Sequence, residues 1–402
     1  MCTIEPIVRP ITVPFKRRFN YGKANWEQYS ESIDTALFNL PPMPQNYDRF
    51  VDIVTTTARK YIPRGCRTSY IPGLSKESTE LLKRYEQSFD RDPFSEDTLE
   101  LGENLLLEIS EARHDKWMET VTNINMTHNS KKAWTTIRKL TNEAPPAVSP
   151  SKVTANQVAH QLIVNGKPEH RLGRVPKVRY PENTSDSTIC QPFNLADITS
   201  GIRELKRFKA SGMDNISVEQ IQHLGPVAVS WLLELFNNCM TSVGIPRLWR
   251  KAKTIAILKP GKPADDPKSF RPISLLCHTF KLFERLILNR LASLVDPKLI
   301  PEQAGFRPGK SCCSQTLNLT QHIEDGFETG KVTGTVFVDL SAAYDTVNIK
   351  RLLWKVGELT GDRKFVGVLG ELLQNRRFQV HLSSDKKVVG EPKRMAYPKA
   401  AS

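Results

Sequence analysis

The 402-residue sequence lacks the features that mark exported, membrane-spanning or zinc-stabilised proteins. Its seven cysteines are odd in number and scattered, with no Cys-x-x-Cys pair and no Cys/His zinc spacing. Residues 1–18 contain no apolar signal-peptide core, and no stretch reaches the run of about 20 apolar residues that spans a bilayer. We therefore expect an intracellular protein, in the nucleus or the cytoplasm, that is not secreted and has no membrane partner.

Acidic residues are too few to balance the basic ones. The chain has 57 Lys+Arg against 43 Asp+Glu, a formal net charge of +14. Basic excess of this size favours association with phosphate backbones, in a salt-dependent and largely sequence-independent way. A secreted cationic protein or a ribosomal-type subunit would show the same charge, so composition predicts a polyanionic partner but no chemistry.

The chain divides by pattern into three predicted regions. Residues 1–144 have the pattern of a mainly α-helical linker region, in which Ser75 and Ser95 are suited to begin helices as N-caps. This region holds no cluster of histidine, cysteine and acidic residues, which favours a connecting or scaffolding role over a catalytic one. Residues 145–190 are expected to form a flexible basic linker, because prolines disfavour helix there. Its cations either stay solvated or contact RNA.

The third region, residues 191–402, alternates between helical and strand patterns. Apolar spacing predicts helices over residues 227–240 and 282–294, and a β-branched run predicts a strand over residues 253–258. Alternation of this kind predicts an α/β domain.

Residues 335–340 run from an apolar, β-branched stretch directly into a carboxylate, Asp339. A buried strand is stiff, so Asp339 at its end, with the Leu340 carbonyl, is suited to bind Mg²⁺, which prefers oxygen ligands. Tyr344 follows five residues later, where a flat ring would wall a nucleotide pocket. Asp345 is expected to be structural, as a helix cap, rather than a metal ligand. Strand-end carboxylates also occur as plain turn residues, so the motif gains meaning only from its neighbours.

Several further motifs follow one another in a fixed order, namely KASGMDNI at 209–216, ILKPGK at 257–262, SFRPISLL at 269–276, KLFER at 281–285, QAGFRPGKS at 303–311 and QNRRF at 374–378. In this order and spacing they resemble the reverse transcriptase of non-LTR, LINE-type, jockey-like retrotransposons, over roughly residues 195–390. The Gly-Lys-Ser triplet at 309–311 lacks the earlier glycine of a P-loop, which disfavours a nucleotide hydrolase.

The resemblance implies an α/β (α+β) fold of polymerase fingers and a partial palm. It also implies Mg²⁺ as the cofactor, with Mn²⁺ as the alternative, dNTPs as substrates, and an RNA template with a DNA primer as partners. Lys259 and Arg271 match residues that grip the triphosphate, and Arg307 and Lys310 lie in a basic turn against template and nucleotide. Tyr344 matches a steric gate against the ribose 2′-hydroxyl. Without the resemblance, Lys259 and Arg271 would be solvated bases of a surface hairpin. For Tyr344 the alternative is a packed core aromatic, which is compatible with the gate role.

One motif of the family does not occur in this sequence. The family continues with a Gly-x-Pro-Gln-Gly-Ser segment, from which residues 393–402 of this sequence depart. In the family a Tyr-x-Asp-Asp hairpin then supplies further metal ligands, and this motif does not occur in the sequence. One carboxylate cannot hold two divalent ions. We therefore expect a polymerase fragment with negligible activity of its own, and aggregation or partial disorder after about Gly334.

Two other functions stay open at this point. The first alternative is a non-catalytic remnant that binds RNA or DNA through its basic residues, and the second is a scaffold that uses the N-terminal helices. Steeply salt-dependent RNA affinity that does not depend on Asp339 would favour the remnant. The oligomeric state and the template RNA are not predicted by the sequence.

Overall fold

The structure is a computed structural model, and it describes residues 11–12, 18–65, 69–124, 136–137, 153–166, 177, 189–242, 244–340 and 343–382. The chain forms two compact units, one of Met1–Gly22 with Pro63–Val148 and one of Lys23–Ile62 with Ser149–Ser402. The predicted boundary after residue 144 places all of residues 1–144 in one region. In the structure, Lys23–Ile62 instead belongs to the unit that contains the C-terminal residues. No helix in the described part of the chain combines the length and the apolar character needed to span a membrane.

The described α-helices, in chain order, are α1 (Trp26–Leu37), α2 (Tyr47–Tyr61), α3 (Lys76–Arg91), α4 (Glu96–Thr122), α5 (Ala155–Asn165), α6 (Leu195–Arg203), α7 (Val218–Gln222), α8 (Pro226–Ser242), α9 (His278–Val295), α10 (Cys312–Glu328), α11 (Ile349–Thr360) and α12 (Arg363–Leu373). The described strands are β1 (Ile11–Thr12), β2 (Arg18–Phe19), β3 (Arg64–Gly65), β4 (Ser69–Tyr70), β5 (Lys251–Leu258), β6 (Phe270–Leu275) and β7 (Arg377–Leu382). Short 3-10 turns lie at Tyr21–Lys23, Pro44–Asn46, Arg247–Arg250, Pro267–Ser269 and Asp296–Lys298.

The first unit is built on the helix pair α3 and α4. Ser75 and Ser95 begin these helices, and each hydroxyl accepts a hydrogen bond from the backbone three residues later, which confirms both predicted N-caps. Tyr85 of α3 packs with Leu105 and Ile109 of α4 in a small apolar core. In the same unit β1 pairs with β4 and β2 with β3, both antiparallel.

The second unit contains a three-stranded sheet of order β6-β5-β7. Strand β5 pairs antiparallel with β6 and parallel with β7. Helix α5 covers one face of this sheet, where Val158 packs with Ala256, Phe270 and Leu382. The predicted flexible linker over residues 145–190 is therefore wrong for α5, because the apolar side of this helix gains burial against the sheet.

Aromatic side chains fill the core beside the sheet. Trp249 lies with its ring centroid 5.9 Å from that of Phe236 on α8 and 5.3 Å from that of Phe283 on α9. All three rings are buried, and each contributes about 1.5–3 kcal/mol of apolar burial. Helices α8 and α9 contain the segments 227–240 and 282–294 that were predicted to be helical, and β5 contains the predicted strand 253–258. These three predictions are confirmed.

Helix α1 and the segment that follows it are tied to α8 by polar contacts across long sequence separations. The Asp34 carboxylate accepts hydrogen bonds from the backbone N–H groups of Val227 and Ala228, at 3.2 and 2.9 Å, and so caps α8 from another helix. The indole Nε1 of Trp231 donates to the Leu40 carbonyl at 2.7 Å. Residues 23–62 are therefore part of the framework that carries the sheet.

The strand predicted to end at Asp339 is not formed. Residues 331–340 have no regular secondary structure, and Val336, Phe337 and Val338 are 87%, 84% and 82% exposed. A strand needs a partner, and among the described residues no strand pairs with this segment. The predicted disorder after about Gly334 is wrong for most of residues 343–382, because α11, α12 and β7 form there. The expected aggregation stays a prediction.

Candidate nucleotide and nucleic-acid site

The β5–β6 hairpin carries the two predicted triphosphate-binding residues. Lys259 directly follows β5, and its backbone N–H donates to the Ser269 carbonyl at 2.9 Å. Its ammonium Nζ donates to the Lys268 carbonyl, also at 2.9 Å. The turn between the strands passes through Gly261, whose φ of +70° suits a residue without a side chain. Arg271 lies on β6 opposite Ile257 and is exposed.

The strand register places further cations on the face that carries Arg271. Lys251 is opposite Arg377 in the parallel pair, and Lys253 follows Lys251 by two residues on the same face of β5. Residues opposite one another in a sheet point to the same side, so these four cations share the face away from α5. No acidic residue occupies a paired position on it. The sequence alone does not predict this face, because the pairing of β5 with β7 joins residues more than a hundred positions apart.

The predicted metal ligands are found on exposed backbone. Asp339 and Leu340 both lie in the segment without regular structure, and Leu340 is 72% exposed. Among the residues that the structure describes, no group of three or more His, Cys, Asp or Glu side chains is placed to hold a metal ion. One carboxylate does not make a divalent-metal site, so these residues do not fit a complete polymerase metal centre and no catalytic step is assigned through a metal.

Asp345 does not begin the helix that follows it. The N-cap of α11 is Asn348, whose side-chain oxygen accepts a 2.9 Å hydrogen bond from the backbone N–H of Arg351. The predicted capping role of Asp345 is therefore wrong, because Asn348 is the residue directly before the first helical turn and its amide reaches the free N–H there.

The basic turn at residues 303–311 is held by Arg307. The guanidinium Nε lies 2.8 Å from Asp296 Oδ1 and Nη2 lies 3.1 Å from Oδ2, a two-point ion pair. A third hydrogen bond from Nη1 reaches the Ile300 carbonyl at 3.0 Å. Arg307 holds the pKa of the Asp296 carboxyl below its usual range. Its guanidinium thus closes the loop, whereas Lys310 in the same turn is exposed.

Tyr344 lies on the surface beside Phe306 of the basic turn. Their ring centroids are 6.0 Å apart with an interplanar angle of 84°, an edge-to-face contact between two separate motifs. Tyr344 is 74% exposed, so the alternative of a packed core aromatic is wrong.

Asp214 of the 209–216 motif is a buried carboxylate that sequence reasoning did not single out. The Tyr47 hydroxyl donates to its Oδ2 at 3.0 Å, and the Ile216 backbone N–H donates to its Oδ1 at 3.3 Å. Burial raises the pKa values of both the Asp214 carboxyl and the Tyr47 phenol.

Gly212, two residues before Asp214, brings this motif against the chain that leaves β6. A Cβ at Gly212 would lie 2.4 Å from the Cys277 backbone nitrogen, so only glycine permits this approach. The 209–216 loop therefore braces the end of the strand that carries Arg271.

A family model matches the chain from the end of β5 onward, and several known proteins are similar to about half of the chain. A family model described as reverse transcriptase (RNA-dependent DNA polymerase) matches residues 257–389. The chain is 36% identical over 194 residues to the protein named Probable RNA-directed DNA polymerase from transposon BS of Drosophila melanogaster. To the RNA-directed DNA polymerases from mobile element jockey it is 32% identical over 194 residues in Drosophila melanogaster and 31% over 191 residues in Drosophila funebris. These matches cover 47–48% of this chain and 21% of each relative.

The second unit therefore contains a reverse transcriptase domain, and its mixture of helices with a small sheet fits an α/β polymerase. More particularly, the similarity to the polymerases of transposon BS and mobile element jockey confirms the resemblance to jockey-like, LINE-type reverse transcriptases seen in the motif order. The matched segment amounts to about one fifth of the length of these curated relatives.

Proposed function

We propose that residues 191–402 are the fingers and part of the palm of an RNA-directed DNA polymerase that adds dNTPs to a DNA primer on an RNA template. The observation that carries this proposal is the β5–β6 hairpin, which presents Lys259 and Arg271 from a braced sheet within the matched segment. A planar guanidinium and a point-like ammonium are suited to bind a triphosphate. Residues 1–144 then serve mainly as a helical linker region, and the protein acts inside the cell, in the nucleus or the cytoplasm.

In the intact parent protein, Asp339 and the Leu340 carbonyl would supply oxygen ligands for Mg²⁺, with Mn²⁺ as the alternative. When bound, such a metal would supply positive charge near the primer 3′-hydroxyl and the pyrophosphate leaving group. The remaining ligands belong to the Tyr-x-Asp-Asp motif, which does not occur in these 402 residues. Tyr344 would exclude the ribose 2′-hydroxyl, and Lys310 would contact the template or the nucleotide.

Primer extension tests this proposal. The 402-residue chain is incubated with an RNA template, a DNA primer, dNTPs and Mg²⁺, in parallel with a version extended through the downstream Tyr-x-Asp-Asp sequence of its element. We expect extension only from the longer version, and its loss in Asp339→Ala but not in the control Asp325→Ala, which alters an exposed aspartate on α10. Extension that survives Asp339→Ala would contradict the assigned role.

A second function is favoured by a separate observation, the sheet face with Lys251, Lys253, Arg271 and Arg377. On this alternative the chain is a non-catalytic RNA- or DNA-binding remnant. RNA affinity that falls steeply with salt and is unchanged in Asp339→Ala, together with no extension by the longer version, would favour it over the polymerase.

A further inference from the structure

Helix α4 of the first unit is longer than its small core requires. It has 27 residues, a length of about 40 Å, whereas its partner α3 has 16. The buried residues of α4 end at Ile109, and none of residues 110–122 is buried. Most of the stability of a helix in a protein comes from a packed apolar face. Within the described part of the chain, the C-terminal half of α4 therefore gains little stability from burial.

Exposed apolar side chains follow one side of this helix. They are 41–61% exposed and comprise Leu99, Leu106, Leu107, Trp117, Met118 and Val121. Separations of 4, 7 and 11 residues occur among them, close to one, two and three helical turns, so they form one stripe. Leu105 and Ile109, which pack with Tyr85, lie on a different side of the helix. Helix α4 thus has one apolar face in the core and a second in water, which we call the exposed α4 stripe.

The helix that carries this stripe is acidic, although the chain is basic. It contains eight acidic residues against two basic ones, a net charge of −6, whereas the whole chain carries +14. Glu103 and Glu111 lie one helical turn before and after Leu107. Asp115 lies one turn before Met118. All three carboxylates are exposed, and none forms an ion pair with another described residue. Negative charge therefore borders the exposed α4 stripe.

This combination of apolar area and negative charge favours one kind of ligand. An acidic border repels the phosphates of RNA and of anionic lipids, which disfavours both as ligands of the stripe. A second copy of α4 would bring the same charge of −6 against this one, so like charges would meet. A helix whose apolar face is flanked by Lys or Arg would instead bury the stripe and pair with its carboxylates.

We propose that the exposed α4 stripe is the docking surface for a basic amphipathic helix of a partner protein. This inference goes beyond the proposed function, because it gives residues 1–144 a protein-binding role in addition to that of a linker. Trp117 is the expected anchor, since tryptophan side chains often contribute most to the affinity of such interfaces.

The test uses the full 402-residue chain, fluorescence anisotropy at near-physiological salt and two labelled synthetic peptides of about three heptads. One peptide has Leu at the apolar positions and Lys at the flanking positions, and the other has Glu in place of every Lys. Only the Lys peptide should bind the unaltered chain. Trp117→Ala should weaken this binding about 10-fold. The control Phe327→Ala truncates an aromatic residue that is 67% exposed on α10, and it should leave the binding unchanged.

Charge reversal distinguishes this surface from a general attraction between the chain and cationic peptides. Glu103→Lys combined with Glu111→Lys should weaken binding of the Lys peptide about 10-fold or more and allow the Glu peptide to bind. A gain of this kind cannot come from misfolding. Glu324→Lys combined with Glu358→Lys, at exposed positions on α10 and α11, changes the net charge equally and should leave the binding of both peptides unchanged.

Four results would each overturn the proposal. These are no binding of the Lys peptide by the unaltered chain, equal binding of the two peptides, unchanged affinity in Trp117→Ala, and equal losses in the two charge-reversed variants. Sedimentation of the unaltered chain adds a fifth, because a dimer that Trp117→Ala dissociates would mean that a second copy occupies the stripe. Peptide binding needs no template, primer or dNTP, so these outcomes are independent of primer extension.

Discussion

The Tyr47 phenol donates a hydrogen bond of 3.0 Å to the Asp214 carboxylate, across 167 positions of the sequence. Both groups are buried, and Thr279 also shares a hydrogen bond with the Tyr47 hydroxyl. This relationship joins α2, which precedes the matched reverse transcriptase segment, to the loop that braces the end of β6. Helix α2 is thus a structural component of the second unit.

Removal of this phenol should destabilise the second unit. Tyr47→Phe removes one side-chain hydrogen-bond donor from the buried Asp214 carboxyl, so the free energy of unfolding should fall by about 1–3 kcal/mol in urea titration. The control is Tyr61→Phe, since the Tyr61 hydroxyl receives its hydrogen bond from Ser32 at a partly exposed site. A loss as large in the control as in Tyr47→Phe would contradict the special role of the buried pair.

The stability should depend on pH through Asp214. Burial raises the pKa of this carboxyl above its ordinary value of 3.8, so the folded state binds the proton more tightly than the unfolded state. The stabilisation from the protonated form is complete below pH 3.8 and is lost as pH rises through the folded-state pKa. Asp214→Asn removes this titration. The free energy of unfolding of the unaltered chain, relative to that of Asp214→Asn, should therefore fall as pH rises from about 4 to 7 in paired urea titrations. A difference that is flat with pH would refute the assignment.

The close approach at Gly212 predicts a costly substitution. Gly212→Ala places a methyl group 2.4 Å from the Cys277 backbone nitrogen, so the loop or the end of β6 must shift, at a cost of about 1–3 kcal/mol in thermal or urea unfolding. Gly334→Ala is the matched control, because a Cβ there meets nothing within 4 Å. Similar stability of the two variants would show that the loop adapts freely.

The cationic sheet face should contribute to the salt dependence of RNA binding. Lys253→Ala and Arg377→Ala should each lower the slope of log K against log salt concentration by about 0.7 for single-stranded RNA, if each side chain neutralises one phosphate. Lys355→Ala, which removes an exposed cation from α11, should leave the slope unchanged. Equal changes in all three variants would mean that only net charge matters and that the face is not a binding surface.

Local pattern was sufficient for the elements that depend on near neighbours. Side-chain spacing predicts strand β5 and the helices around 227–240 and 282–294. The hydroxyl position predicts the caps, because Ser75 and Ser95 each lie three residues before a free backbone N–H group. The reverse transcriptase family was also readable from the sequence, because its motifs are short, ordered and carried by side-chain identity.

Tertiary structure decided what depends on partners distant in the sequence. Residues 335–340 have strand composition but remain unpaired, since a strand forms only where another offers free backbone groups. Helix α5 forms within a predicted linker because the sheet buries its apolar side. Local pattern cannot predict contacts between residues that are far apart in the sequence. Three such contacts are the pairing of β5 with β7, the Tyr47–Asp214 hydrogen bond and the Phe306–Tyr344 ring contact. The sequence by itself thus determined the resemblance to reverse transcriptases and the local elements, whereas chain folding determined which charged and aromatic groups meet, because long-range contacts depend on the whole set of packed surfaces.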